Sequence, residues 1–235
     1  MNNFSMKIIV IIPARGGSKS LPKKNILLLK GKPLLCYSID YSLMSKLVKS
    51  TVVSTDSNEI AEIAKRSGAL VPFIRPAEFS QDDTRDYPVI RHALDFFEAQ
   101  GKIFDIYVLL RPTSPFRPPG LIEKAVEILK NNSSITSVRS VAKIAEHPYR
   151  AWQRNEDGSI SGFVDNVIEP YNIPRQELPS LYFQTGDIEV IRRKTLINGS
   201  ISGNRVFPLI IKHDEMIDID NQSDFERVEK LDVSN

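Results

Sequence analysis

Two short runs, Lys7-Ile8-Ile9-Val10-Ile11-Ile12 and Ile106-Tyr107-Val108-Leu109-Leu110, are almost wholly apolar, and each stops at a loop carrying proline and arginine. Runs of this length without polar alternation read as strands buried on both faces. Such strands need helices above and below them, so the chain is expected to form an α/β domain around a doubly wound, mostly parallel sheet.

The segments between the two runs supply the alternation. Leu35, Ile39 and Leu43 recur at helical spacing, and Val48 to Ser54 reads as a β-branched strand. Asn58 is expected to cap a helix that runs to Lys65 and closes at Gly68. Leu70 to Ile74 reads as a further short strand, and a helix over Pro88 to Ala99 leads into the second apolar run. In this order of elements ligands sit at the carboxyl ends of strands, so loops 13–25, 54–57 and 111–117 should converge.

From about Val141 the rhythm changes. Trp152-Gln153-Arg154, the turn Asn155 to Gly158, and Ile160 to Val164 form a hairpin instead of a crossover. The expected organisation is a catalytic α/β domain, 1–140 and 180–235, with an inserted arm over 141–179. Tyr149, Trp152 and Phe163 on that arm need cover, from their own domain or from a partner. The chain returns through strands at 188–192 and 205–211 to a last helix over Ser223 to Leu231, and residues 1–5 read as a loose extension.

The chain has 235 residues, 41% of them apolar and 26% charged, which suits a globular core. A net charge of +2 excludes a broad basic face for nucleic acid. The apolar runs are too short for a membrane span, and Pro13 and Arg15 interrupt the first before any leader-like cleavage site. The single cysteine, Cys36, lies in an apolar helical stretch and reads as a buried, inert thiol, consistent with a reducing cytoplasm.

Positive charge is instead local. Pro13-Ala14-Arg15-Gly16-Gly17-Ser18-Lys19-Ser20-Leu21-Pro22-Lys23-Lys24-Asn25 follows the first strand, with prolines that keep it from becoming helix. Exposed backbone N–H groups beside Arg15, Lys19, Lys23 and Lys24 make a site for an anion, most simply a nucleotide triphosphate. It is neither a Walker loop nor a dinucleotide fingerprint, since the spacing of both is absent. The loop resembles the signature of the acylneuraminate cytidylyltransferase family. In that resemblance Arg15, Ser18, Lys19, Lys24 and Asn25 match the positions that hold the nucleotide.

Three further segments extend the likeness. Arg111-Pro112-Thr113-Ser114-Pro115-Phe116-Arg117 follows the buried strand and is expected to turn two hydroxyls and two arginines toward the cleft, suited to a base, a ribose or an anionic sugar. It is similar to the L-Q-P-T-S-P-L-R segment of sialic acid synthetases, with arginine at the first polar position, and unlike the acidic loop of Kdo cytidylyltransferases. In Met216-Ile217-Asp218-Ile219-Asp220-Asn221, residues two apart share a face when extended, so Asp218 and Asp220 present paired carboxylates, and such a pair beside a triphosphate suits magnesium. Alone the pair could equally be solvated acids or a helix cap; the resemblance assigns it to the metal, magnesium or alternatively manganese. Pro174-Arg175-Gln176 holds an arginine suited to a forked pair with a carboxylate, and the resemblance places Arg175 near the sugar and Arg150 where a basic residue reaches substrate, that of a partner subunit included.

Around Gln184, also expected on the sugar side, Thr185, Asp187 and Glu189 stand where the family carries an amide, a small and an aromatic residue. Those departures leave two explanations open: a pocket rebuilt for a modified sugar, or acids paired with Arg111 and neighbouring arginines away from substrate. His92, His147 and His213 show no triad or metal spacing and receive no catalytic role.

The resemblance implies that CTP and a nine-carbon 2-keto sugar acid give a CMP-sugar and pyrophosphate. Arg15 and Lys19 would face the leaving group, Asp218 and Asp220 the magnesium and Arg175 the sugar carboxylate, in a homodimer joined through the arm. Two other readings stay open: a nucleotidyltransferase acting on a sugar 1-phosphate, and a nucleotide-binding regulator without turnover.

Overall fold

The computed structural model describes residues 6–212 and 215–231. The extension at 1–5 and His213 lie outside the described residues. The first apolar run forms strand β1 (Ile8–Pro13) and the second forms β5 (Ile106–Leu109). β1 pairs in parallel with both β5 and β4 (Val48–Ser54), the last of these being an edge strand of a six-stranded sheet. Beyond β5 lie β9 (Tyr182–Arg192), β6 (Ser137–Lys143) and β10 (Val206–Ile210), and only β9 runs antiparallel to its neighbours.

Both faces of the sheet are covered. Ile8, Val10 and Ile12 point into a core shared with helices α1 (Leu34–Met44), α2 (Asn58–Arg66) and α4 (Leu121–Asn131). Ile9 and Ile11 point the other way, onto α3 (Asp86–Glu98) and α5 (Arg193–Ile197). Alternate side chains of one strand thus serve opposite layers, which is why β1 contains no polar residue. A third, smaller core of Leu21, Leu29, Leu34, Ile219, Phe225 and Val228 fastens the 216–220 segment and α6 (Gln222–Glu229) against the first loop and the short hairpin β2 (Leu28–Leu29) and β3 (Lys32–Pro33).

Some local expectations are corrected. Leu70 to Ile74 is not a strand: Leu70 makes one bridge to Val52, and Pro72, which has no N–H to donate, ends the pairing. Ser57 is the cap of α2, accepting from the Ile60 N–H at 3.4 Å, and Asn58 is the first helical residue. The hairpin is shorter than expected, β7 (Trp152–Arg154) against β8 (Ile160–Gly162). It belongs to an excursion between β6 and β9, whose two ends pair through Lys143 and Tyr182.

Candidate functional site

The carboxyl ends of β1 and β5 open into a cleft of ≈ 260 Å³ lined by Arg15, Lys24, Asn25, Arg75, Gln81, Asp82, Asp86, Arg111 and Thr113, with Phe79 and Val89 as apolar walls. Loops 13–25 and 111–117 therefore meet as expected. The 54–57 loop supports them from behind: Asp56 Oδ1 accepts the Gly16 N–H at 2.8 Å, and Thr55 O accepts the Arg75 N–H at 2.7 Å. Asn25 is buried and donates to Arg15 O at 2.9 Å, which closes the basic loop on itself. Its role is to shape that loop.

The cations of the loop point in different directions. Lys23 adopts a left-handed backbone (φ 54°) and turns outward to Glu59, at 2.9 Å, while Lys24 turns inward to Asp220, at 3.2 Å. Arg15 Nη1 donates to Gln81 O and Asp82, both at 2.8 Å, and Lys19 also pairs with Asp82. The two cations hold the Asp82 carboxyl below the usual carboxylate range. Asp82 thus bridges the charged ends of Arg15 and Lys19. Ser18 is half-buried in the same loop.

The 216–220 segment is fixed to the cleft by its backbone. Ile219 is fully buried and its N–H donates to Thr113 O at 2.9 Å, so Asp218 and Asp220 fall on the face away from the small core. Asp220 is solvent-facing beside Lys24. Asp218 is half-buried with Oδ1 lacking any partner among the described residues, and burial pushes its carboxyl above the ordinary range. Gly186 lies against it. A Cβ built there would meet Ser114 Oγ at 2.6 Å and Asp218 Oδ2 at 3.5 Å.

Gly186 belongs to a bulge in β9. Arg139 pairs with Glu189 and Val141 with Gln184, so residues 185–188 of β9 stand opposite Ser140 alone. Ser140 Oγ fills the gap, accepting from Thr185 Oγ1 at 2.8 Å and from the Ile188 N–H at 3.1 Å.

The amino-terminal two thirds of the chain, residues 9–160, match the cytidylyltransferase family model. The chain belongs to the cytidylyltransferase family. It is 38% identical over 228 residues to the CMP-N,N'-diacetyllegionaminic acid synthase of Legionella pneumophila, covering 96% of each chain. It is 33% identical over 221 residues to the N-acylneuraminate cytidylyltransferase of Escherichia coli O18:K1:H7, covering 94% of this chain and 51% of that one. A solved CMP:2-keto-3-deoxy-manno-octonic acid synthetase complexed with CTP shares the fold, with TM-score 0.70 at 19% identity over 95% of this chain and 97% of that one.

In this cytidylyltransferase the residues expected at the site do not all gather. Arg15, Lys24, Asn25 and Arg111 line the cleft, Lys19 pairs at its rim, and Asp218 and Asp220 lie beside Lys24. Arg150 and Arg175 are exposed on the excursion and not among the cleft residues, Arg150 donating to Ile173 O at 3.3 Å. Gln184 is exposed at the start of β9, accepting from Arg139 Nη1 at 2.7 Å. The expectation that two hydroxyls and two arginines of 111–117 face the cleft is corrected. Only Arg111 and Thr113 do. Ser114 is buried, and Arg117 is buried behind the loop, donating to Asp187 O at 2.6 Å, Ser38 Oγ at 3.0 Å and Arg111 O; its guanidinium is pulled down to about 10 by burial.

Arg75, Gln81, Asp82 and Asp86 complete one wall of the cleft and were not anticipated. They lie between two predicted elements in a segment without periodicity, so only its density of charge marked it. His92 packs edge-on against Phe73, ring centroids 4.6 Å apart, in keeping with a packing role.

Asp187 is 1% exposed with no partner for either carboxylate oxygen among the described residues, and burial raises its carboxyl above the ordinary value. A carboxyl raised on folding binds its proton more tightly in the native state, so stability falls as pH rises from the unfolded value through the folded one. Asp187→Asn is therefore expected to gain stability over the parent as pH rises above the ordinary carboxylate range, read as a difference in Tm that grows with pH. A difference that stays constant with pH would show that Asp187 does not titrate as its burial requires.

Proposed function

We propose that this protein joins CTP to an N-acylated nine-carbon 2-keto sugar acid, forming a CMP-sugar and releasing pyrophosphate. The observation that carries this reading is a single cleft in which the basic loop after β1, the loop after β5 and the Asp218–Asp220 segment meet, a constellation suited to a triphosphate. The names of the two relatives, a diacetyllegionaminic acid synthase and an N-acylneuraminate cytidylyltransferase, support an acylated acceptor.

The sugar's anomeric oxygen attacks the α-phosphorus in line, the bond from that phosphorus to the β-phosphate oxygen breaks, and the hydroxyl proton is lost. Positioning and charge neutralisation provide the acceleration. Arg15 and Lys19 exchange Asp82 for the β- and γ-phosphates, and Lys24 adds a third cation from the same loop. Phe79 and Val89 give the base an apolar seat beside the buried Arg75.

Magnesium fits the donors that are present. No cluster of three or more metal-ligating side chains gathers among the described residues, so the protein offers two carboxylates, and phosphate and water supply the rest, as this ion prefers. Asp218 Oδ1, which has no partner among the described residues, is the natural first ligand, with Asp220 the second. The bound ion, or manganese in its place, would neutralise charge on the departing pyrophosphate.

Trp152, Ile160 and Phe163 are exposed by 46%, 58% and 60% on the excursion, more apolar surface than a lone hairpin can cover. The proposal places that face against a second copy, which is also what would bring Arg150 and Arg175 to a sugar. Trp152→Glu with Phe163→Glu is expected to convert a dimer to monomer by light scattering. A parent protein that is already monomeric at micromolar concentration contradicts the arrangement.

The function itself is tested on the donor side. Pyrophosphate release should require both CTP and an added acid, with UTP, GTP and ATP far slower. Release without acid, or equal use of the four nucleotides, would remove the reading.

A further inference from the structure

Glu189 is 1% exposed, yet its carboxylate is shared between two arginines on opposite sides of its strand. One oxygen accepts from Arg111 Nη2 at 2.6 Å, and the other contacts Arg139 Nη2. Arg111 Nη2 spends its second hydrogen on Asp86, the first residue of α3, at 2.5 Å. Both hydrogens of that nitrogen are therefore held by carboxylates, and the guanidinium cannot rotate without breaking an ion pair. Nη1 has no partner among the described residues and is itself buried, while the side chain as a whole remains 22% exposed at the cleft. Arg139 uses Nη1 to hold Gln184 Oε1 at 2.7 Å, near the point where the excursion rejoins the sheet.

We propose that Glu189 is a positioning residue for acceptor selection: it fixes Arg111 as a rigid donor facing the cleft and ties it, through Arg139, to Gln184 at the root of the arm. Two arginines and two carboxylates balance in charge, which is how this cluster is tolerated out of water. An arginine held in this way presents its exposed edge and its positive charge to the cleft in one orientation, and an acyl carbonyl or a carboxylate of the sugar is the group that suits it. Glu189 itself does not reach the substrate. The explanation in which this acid pairs with neighbouring arginines is thus the one the geometry supports, and specificity acts through Arg111.

The inference rests on the proposed function, so the experiment has two readouts. In the first, KM is measured separately for CTP and for N-acetylneuraminic and diacetyllegionaminic acid. Glu189→Gln is expected to raise KM for the acid about tenfold or more with KM for CTP within about twofold, and to be non-additive with Arg111→Gln, because both act through one guanidinium. In the second, phenylglyoxal labels the protein without substrates and the Arg111 peptide is followed by mass spectrometry. Loss of the Glu189 charge should speed labelling at Arg111 several-fold. Glu189→Asp, one methylene too short to bridge both arginines, should behave alike and serves if Glu189→Gln does not fold. Unchanged labelling, an equal rise in both KM values, or a lowered Tm with neither kinetic change overturns the proposal. If the parent turns over neither acid, the proposed function fails, and labelling alone decides the role of Glu189.

Discussion

Asp218→Asn should lower kcat about a thousandfold, with Tm unchanged or slightly raised. The fold fixes this carboxylate from both sides: buried Ile219 and its 2.9 Å bond to Thr113 set the backbone, and Gly186 packs against the side chain. Its Oδ1 has no partner among the described residues and is left for a metal ion. Removing one charged ligand from an ion that neutralises a leaving pyrophosphate costs several kcal/mol of transition-state stabilisation, and ~4 kcal/mol corresponds to roughly a thousandfold in rate. The fold should not suffer, because burial already disfavours the charged form of Asp218. Single-turnover rates at saturating CTP and metal separate this from weakened binding. A rate within about threefold of the parent would remove Asp218 from the metal site.

Gly186→Ala should be nearly as damaging, although position 186 carries no functional side chain. The added methyl would lie 2.6 Å from Ser114 Oγ, a distance no Cβ contact tolerates, with Asp218 Oδ2 at 3.5 Å on its other side. Ser114 is buried and cannot swing into solvent, so the strain passes to the 111–117 loop and to Asp218. Overpacking of this kind costs ~1–3 kcal/mol of stability, and displacement of a reacting group by about 1 Å costs on the order of a hundredfold in rate. Pairing the change with Ser114→Ala removes the colliding oxygen. The double variant is expected to recover most of both losses in kcat and Tm. If Gly186→Ala retains full activity, the bulge of β9 does not position Asp218.

Three strands were legible because burial leaves a plain mark: β1, β4 and β5 fall where apolar and β-branched runs predict. The nucleotide half of the site was legible for a related reason. A basic, glycine-containing loop between a buried strand and Pro22 has few uses other than holding an anion. Other elements left weaker marks. α4 carries Leu121, Ile122, Ala125, Val126 and Leu129 on one face, a signal present in the sequence but masked by Pro118 and Pro119 before it. β6 buries Ser137, Val138, Ser140 and Ala142, too polar and small to read as an apolar run. The direction of β9 could not be read, since strand polarity follows from where the chain re-enters the sheet.

The acids of the site show the same limit. A two-residue spacing was enough to put Asp218 and Asp220 on one face, because an extended backbone alone decides that. The partners of Glu189 required knowing that Arg111 and Arg139 lie on strands or loops flanking β9, contacts separated by 78 and 50 residues. Asp82 on Arg15 is likewise a long-range pairing that no local pattern encodes.

The ³¹P spectrum of a reaction mixture tests the central claim most directly. The protein is incubated with CTP, magnesium and, in separate tubes, N-acetylneuraminic acid, diacetyllegionaminic acid and a hexose 1-phosphate. Transfer of CMP to a sugar acid gives pyrophosphate and a single uncoupled phosphodiester resonance in the acid tubes, with nothing new in the third. Two coupled diphosphate resonances from the sugar 1-phosphate, or CTP left intact beside both acids, would contradict it.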